Sequence, residues 1–187
     1  VCIHSELLMR REDRYLLTYI YRKRNLLMNK EILLTFDNVV SEDFLNFIRK
    51  EIKTMKWGLA HTFESESSSF FYCDTDNYIS HQFLFDLFIK KTSLSYKPTR
   101  SYVNCYPKGS EGTMHADDGH CTFLFFTDEW NQEYKGSLLF ENNKKVEYKA
   151  NRLVVYNANL KHKAEIHLAD KMRHSIAWKT LKWKPLT

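Results

Sequence analysis

Helix-like patterns of apolar residues dominate the first half of this chain, and strand-like patterns dominate the second half. Residues 31–40 predict a strand that leads into Ser41-Glu42-Asp43, a typical helix start, and this helix should continue to about Met55. Residues 80–91 predict a second helix, because their apolar residues recur at helical spacing. The first helix has Phe44, Phe47, Ile48 and Ile52 at the spacing of a core face, and the recurring apolar residues of the second are Phe83, Leu84, Leu87 and Phe88.

Short strand-like segments follow one another from Ser101 onward, separated by turn-forming residues such as Pro107-Lys108-Gly109. In chain order, these predicted strands are SYVNCY, CTFLFFT, GSLLFE, VEYK, RLVVY and RHSIAWKTL. Two further strands are predicted before Ser101, at residues 57–63 and 69–73. Helices followed by such strands are typical of an α+β fold in which helices support a jelly-roll core. We therefore predict one domain over residues 30–187, preceded at 1–29 by an accessory helical extension.

The composition is that of a globular protein. A chain of 187 residues with 43% hydrophobic and 15% aromatic content can build one packed domain. The net charge of +5 does not require a nucleic-acid partner, and no apolar run is long enough to span a membrane. The four cysteines form no CxxC pair, which favours a reducing compartment and predicts a cytoplasmic protein.

The candidate chemistry begins with the triplet His115-Ala116-Asp117. Residues i and i+2 of a strand point to the same side, so His115 and Asp117 can share one target. The polar residues Asp118-Gly119-His120 that follow also fit an ordinary surface turn, and the triplet alone is a weak signal. The strongly apolar strand at 121–127 places the triplet at the mouth of a β core, where a metal ion would meet solvent and substrate.

A later histidine would complete two imidazoles and one carboxylate on one face of a metal, the ligand set of a non-heme iron(II) oxygenase. We predict His162 as this third ligand, although its lysine neighbours also fit an exposed loop. His120 lies three residues past Asp117 and would point elsewhere on a strand. His167 leaves little room for a turn before the final strand, and His174 alternates away from the face of the residue before it.

Arg173 opens the predicted final strand, and Ser175 shares its face by the period of two. An arginine on an edge strand usually makes a surface ion pair. The apolar neighbours Ile176-Ala177-Trp178 argue instead for burial, where a guanidinium needs a carboxylate partner. A bound dicarboxylate would supply that partner, and the Ser175 hydroxyl would add a hydrogen bond.

Together these residues resemble the iron(II)- and 2-oxoglutarate-dependent dioxygenases, in particular the prolyl 4-hydroxylase branch and its hypoxia-type enzymes. The resemblance covers residues 102–178, and the opening segment ILLTFDNVVSEDFLNFI is similar to the family's N-terminal strand and helix. The matching elements are Asn104-Cys105-Tyr106-Pro107, His115-Ala116-Asp117, Trp130, Gly136-Ser137-Leu138-Leu139, Arg152-Leu153, His162 and Arg173.

The resemblance implies a double-stranded β-helix with helical support and an iron(II) ion held by His115, Asp117 and His162. It implies hydroxylation of prolyl residues in a peptide or protein, with O2 and 2-oxoglutarate consumed and succinate and CO2 released. It also allows ascorbate as an additional cofactor. The residues that it places at 2-oxoglutarate are Arg173 and Ser175 on the distal carboxylate, with Tyr106 and Leu139 in the pocket wall.

Three positions depart from the family pattern. Phe125 stands where the hypoxia-type enzymes carry a tyrosine that helps to hold 2-oxoglutarate. Ser137 replaces the second glycine of the usual pair, and Lys179 falls where those enzymes place a tryptophan near the substrate. None of the three is a predicted metal ligand, so the departures bear on the substrate.

Three alternatives remain open. A nucleic-acid demethylase of the same superfamily fits the positive charge, but those enzymes resemble one another in a second arginine six positions after the cosubstrate arginine, where this chain has Lys179. A non-catalytic jelly-roll binding module would make the histidines incidental. A zinc protein could use Cys105, Cys121 and nearby histidines, but their spacing matches no familiar closed site.

Overall fold

Two α-helices and ten β-strands make up the described part of the computed structural model, which comprises residues 32–60 and 70–182. The helices are α1 (Glu42–Ile52) and α2 (Ile79–Thr92). The strands are β1 (Leu33–Asp37), β2 (Gly58–Ala60), β3 (Phe70–Asp74), β4 (Tyr96–Tyr106), β5 (Cys121–Phe126), β6 (Leu138–Phe140), β7 (Lys145–Val146), β8 (Arg152–Asn157), β9 (His162–Ala164) and β10 (Arg173–Lys182).

The strands form two antiparallel sheets. Seven of them make a large sheet in the order β1-β8-β5-β10-β4-β3-β2, and β7-β6-β9 make a small one. An apolar cluster lies between the sheets, with members from β5, β6, β8 and β10. Apolar side chains from both sheets exclude water there, which is the main favourable term in holding them together. Helices beside a mainly antiparallel β core confirm the predicted α+β class.

Helix α2 packs on the outer face of the large sheet. The rings of Phe85 and Phe88 contact Phe123, Phe125 and Trp178 on strands β5 and β10. Successive side chains of a strand point to opposite faces. The alternate residues of β5 and β10 therefore point to the inner face, towards the small sheet. Burial on both faces explains why all six residues of β5 are buried.

Helix α1 begins as its sequence predicts. The Ser41 side chain accepts a hydrogen bond from the Phe44 backbone N–H at 3.3 Å, which caps the first turn. The buried residues of α1 are Leu45, Ile48 and Ile52. The prediction that Phe47 faces the core was wrong, because its exposed fraction is 51%, and Phe83 of α2 is likewise 53% exposed. Both contribute instead to an aromatic group on the helix surface, in which Phe44 contacts each of them.

The predicted strands after Ser101 occur with shifted ends. Strand β4 begins earlier, at Tyr96, and the segment VEYK contributes only Val146 to a strand. Strand β9, which contains His162, was not predicted. The predicted extension at 1–29 and parts of two predicted strands, 61–63 and 69, lie outside the described residues. No helix of the described ranges is long and apolar enough to cross a membrane.

Candidate metal centre

Backbone pairing brings the two predicted histidine ligands face to face. The His115 N–H donates to the His162 carbonyl at 3.0 Å, and the His162 N–H donates back at 2.9 Å. The two residues are therefore direct partners in an antiparallel bridge, and their ring centroids lie 4.5 Å apart. The Asp117 N–H donates to the Ala158 carbonyl at 2.7 Å, which anchors the third predicted ligand to the segment that leads from β8 to β9.

The side chains of His115, Asp117 and His162 offer ligand atoms that all lie within 4.8 Å of one another. Nδ1 of His115 lies 2.8 Å from the Thr113 carbonyl, and Nδ1 of His162 lies 3.0 Å from the Leu160 carbonyl. A carbonyl only accepts, so each Nδ1 carries the proton and each Nε2 is left as the ligating atom. Hydrogen bonds of this kind orient metal-ligating histidines in proteins.

The electrostatics of the three side chains also suit a divalent cation. Burial raises the pKa of Asp117, but His115 and Lys179 lower it more, so that carboxyl is ionised at neutral pH. Burial lowers the pKa of His162 to about 4, which keeps its imidazole neutral. Contact with the Asp117 carboxylate raises the pKa of His115, so a cation that binds at its Nε2 takes the place of a proton there. A carboxylate and neutral imidazoles are the forms in which these groups bind metals.

Arg173 lies at the other end of the same cavity. It is 4% exposed, and its Nη1 donates to the backbone carbonyls of Gly136 and Glu165. Its guanidinium carbon lies 4.8 Å from the ring centroid of Tyr106. A Cβ on Gly136 would lie 3.2 Å from Nη1, so glycine makes room for the guanidinium. No carboxylate of the described residues lies within ion-pair distance of Arg173, so its charge lacks the partner that burial demands.

One cavity of about 490 Å³, including its open mouth, joins these two ends. Ser175 and Lys179 line it together with Arg173, because alternate residues of β10 share a face. Tyr106, which the family resemblance places in the pocket wall, also lines the cavity. Asn104 contributes a buried side-chain oxygen that has no hydrogen-bond partner in the described part of the chain. The cavity therefore presents two cations and an unused acceptor between apolar walls.

Two predicted positions are shifted by one residue. Leu138 lines the cavity, whereas Leu139, for which the pocket wall was predicted, is not among the lining residues. Phe125 packs on Phe88 of helix α2, with ring centroids 5.2 Å apart, and Phe126 faces the cavity in its place. In each strand the adjacent residue points to the opposite face. The phenylalanine that faces the cavity is therefore Phe126.

The competing ligands lie away from the centre. His120 is exposed, and the Nε2 of buried His167 lies 3.0 Å from the Tyr106 carbonyl. His174 points to the helix side, where its Nδ1 lies 3.2 Å from the Asp128 carboxylate. The Cys121 thiol donates to the Tyr96 hydroxyl. Within residues 32–60 and 70–182, the single group of metal-binding geometry is His115, Asp117 and His162, so the zinc alternative has no support there.

Sequence reasoning did not find three residues that surround Asp117. The Thr122 hydroxyl donates to Asp117 Oδ2 at 2.6 Å, the Tyr156 hydroxyl lies 3.3 Å from the same oxygen, and the Lys179 ammonium forms an ion pair with it. Lys179 could have been found, because the period of two places residues 173, 175, 177 and 179 on one face. Thr122 and Tyr156 carry no such signal, since their strands are apolar on both faces.

Comparison with family models and with curated proteins gives no match. Solved structures do match, and they identify the fold as the prolyl-hydroxylase-like double-stranded β-helix of the 2-oxoglutarate- and iron(II)-dependent oxygenases, which confirms the predicted architecture.

Three of these structures span most of the chain. A prolyl hydroxylase from Trichoplax adhaerens, in complex with a peptide fragment of a hypoxia-inducible factor, has a TM-score of 0.66 at 16% identity and covers 91% of this chain and 93% of its own. HygX from Streptomyces hygroscopicus, with nickel and 2-oxoglutarate bound, has a TM-score of 0.65 at 10% identity, covering 94% and 90%. The α-ketoglutarate-dependent epimerase SnoN has a TM-score of 0.67 at 11% identity, covering 85% and 82%.

Proposed function

We propose that this protein is an iron(II)- and 2-oxoglutarate-dependent dioxygenase that hydroxylates prolyl residues in a peptide or protein. The observation that carries the proposal is the shared cavity, which has a His-Asp-His group at one end and, at the other, a buried arginine with no carboxylate partner among the described residues. The donor set fits iron(II), because two imidazoles and one carboxylate on one face leave the remaining octahedral positions open.

The buried arginine fits 2-oxoglutarate. Arg173 would bind the distal carboxylate as a bidentate ion pair, and the Ser175 hydroxyl on the same strand face would donate a further hydrogen bond. Iron(II) with 2-oxoglutarate and O2 would supply the oxidising power for C–H hydroxylation, releasing succinate and CO2. Leu124, Phe126 and Leu138 line the cavity and would exclude water from this reaction.

The choice of a prolyl substrate has two supports. The sequence resembles prolyl 4-hydroxylases over residues 102–178, and one matching structure is a prolyl hydroxylase bound to a peptide. The fold alone does not select the substrate, since an epimerase shares it. The Tyr102 and Tyr106 rings line the cavity, and flat aromatic faces suit the ring of a proline.

The first experiment tests the metal centre. Anaerobic addition of iron(II) and then 2-oxoglutarate should produce a metal-to-ligand charge-transfer band in wild-type protein. His115→Ala should abolish iron binding and the band. His120→Ala is the matched control, because it removes an exposed histidine three residues past Asp117 and should retain both. Absence of the band in well-folded wild-type protein would overturn the oxygenase assignment.

The second experiment separates the cosubstrate from the metal. Arg173→Gln removes the charge, so we expect 2-oxoglutarate affinity to fall roughly 100-fold while iron still binds. Mass spectrometry of proline-containing peptides after turnover should show a gain of one oxygen on proline. Succinate formation without any modified peptide, over a broad peptide panel, would keep the oxygenase and reject the prolyl substrate.

A further inference from the structure

The two oxygens of Asp117 have different surroundings. Oδ2 takes the Thr122 hydroxyl at 2.6 Å and the Lys179 ammonium, and the Tyr156 hydroxyl lies 3.3 Å away. Oδ1 lies 3.3 Å from Nε2 of His115, and Nε2 of His162 lies 3.5 Å from Oδ2. Because the hydroxyl and ammonium donors converge on Oδ2, the lone pairs of Oδ1 are left for a cation bound beside Nε2 of His115.

Lys179 reaches this oxygen from a rigid position. It lies in the middle of β10, where it pairs directly with Thr122 of β5 and with Arg100 of β4. Cross-strand partners point to the same face of a sheet, so Thr122 and Lys179 approach Asp117 side by side. The lysine is 9% exposed, and its ammonium lies 5.4 Å from the ring centroid of Tyr102. Strand pairing on both sides therefore fixes the backbone position from which the Lys179 ammonium reaches Asp117.

We propose that Lys179 is a positioning residue of the metal centre. With Thr122 it holds Oδ2 of Asp117, so that the carboxylate binds the metal through Oδ1 alone. A carboxylate free to turn would offer both oxygens and take a coordination position that 2-oxoglutarate needs. This inference rests on the proposed function, and it assigns a role at the metal ligand to a lysine whose position is taken, in the hypoxia-type enzymes that the sequence resembles, by a tryptophan near the substrate.

The test uses the full chain and cobalt(II), whose visible spectrum reports coordination number and geometry, before and after 2-oxoglutarate is added. Lys179→Met should alter the cobalt spectrum and weaken 2-oxoglutarate binding by about ten-fold or more. Lys179→Arg retains a charged donor and should restore most of the wild-type spectrum. Lys182→Met, at the exposed end of the same strand, is the matched control and should change neither property.

Circular dichroism and urea unfolding of each variant establish that it is folded. If Lys179→Met does not fold, Thr122→Val removes the neighbouring donor, and we expect the same direction of spectral change. Wild-type spectra and wild-type 2-oxoglutarate affinity in the folded variant would overturn the role of Lys179 and leave the proposed function standing. Wild-type protein that binds neither cobalt(II) nor 2-oxoglutarate would overturn both.

Discussion

Acidification should destabilise this protein through His81, a histidine at the start of α2 that has no exposed surface. Within residues 32–60 and 70–182, neither ring nitrogen has a hydrogen-bond partner, and Nε2 lies 3.6 Å from Oε2 of Glu51. That oxygen already accepts the Ser80 hydroxyl at 2.5 Å. Burial lowers the pKa of His81 to about 4. Between pH 6.5 and pH 4 the unfolded chain therefore binds the proton more readily than the folded protein does, and stability falls as the pH falls.

The difference between the two pKa values of His81 sets the size of the effect on stability. With a pKa of about 4 in the folded protein and about 6.5 in the unfolded chain, His81 should cost about 2 kcal/mol on going from pH 7.5 to pH 5. The assay is urea unfolding at both pH values, with a chelator present, for wild type and His81→Leu. Other histidines titrate in both proteins, so only the difference between the two pH dependences is compared.

His81→Leu should lose less free energy of unfolding than wild type over this pH range, by about 2 kcal/mol. Equal losses in the two proteins would refute the reasoning. They would mean that the imidazole gains a partner when it is protonated, and Glu51 is the nearest acid. In that case Glu51→Gln should increase the loss of unfolding free energy on acidification, which would identify Glu51 as the partner of the protonated imidazole.

Three further predictions concern stability. Burial lowers the pKa of His174, but Asp128 and Cys105 outweigh this effect and raise it to about 9. Protonated His174 should therefore stabilise the fold below pH 6.5, and this stabilisation should be lost as the pH rises through 9. In urea unfolding, Asp128→Asn should reduce that loss of unfolding free energy at alkaline pH. Trp178→Ala should cost about 3–5 kcal/mol in guanidinium unfolding, because the ring is 1% exposed and packs on Phe88. Gly119→Ala should lower the thermal midpoint, because φ is +94° and a Cβ would lie 2.6 Å from the Thr180 carbonyl oxygen.

Much of the candidate site could be predicted because it depends on local spacing. The triplet His115-Ala116-Asp117 places two donors on one side of an extended segment, and Arg173 and Ser175 share a strand face for the same reason. These rules need only the chain itself. The helix at Glu42–Ile52 could be predicted equally well, since Ser41 and the acidic residues after it form a local start signal.

The errors arose where a strand is apolar on both faces. Every residue of CTFLFF is buried, so hydrophobicity does not reveal which phenylalanine faces the cavity and which faces α2. The same ambiguity exchanged Leu138 and Leu139. The error at Phe47 of helix α1 has a different reason. Its side chain is exposed, and the sequence does not distinguish an aromatic residue on the surface from one in the core.

The sequence by itself determined the chemical groups and their local spacing. These groups are two histidines, an aspartate and an arginine, and short-range backbone geometry decides to which side of its strand each side chain points. Tertiary structure decided which of these groups meet. The bridge between His115 and His162 joins residues that lie far apart in the chain, and only long-range backbone pairing brings them together. Likewise, Lys179 contacts Asp117 because β10 lies beside β5. No local pattern encodes that pairing, because it is the burial of both faces of the large sheet that selects the strand order.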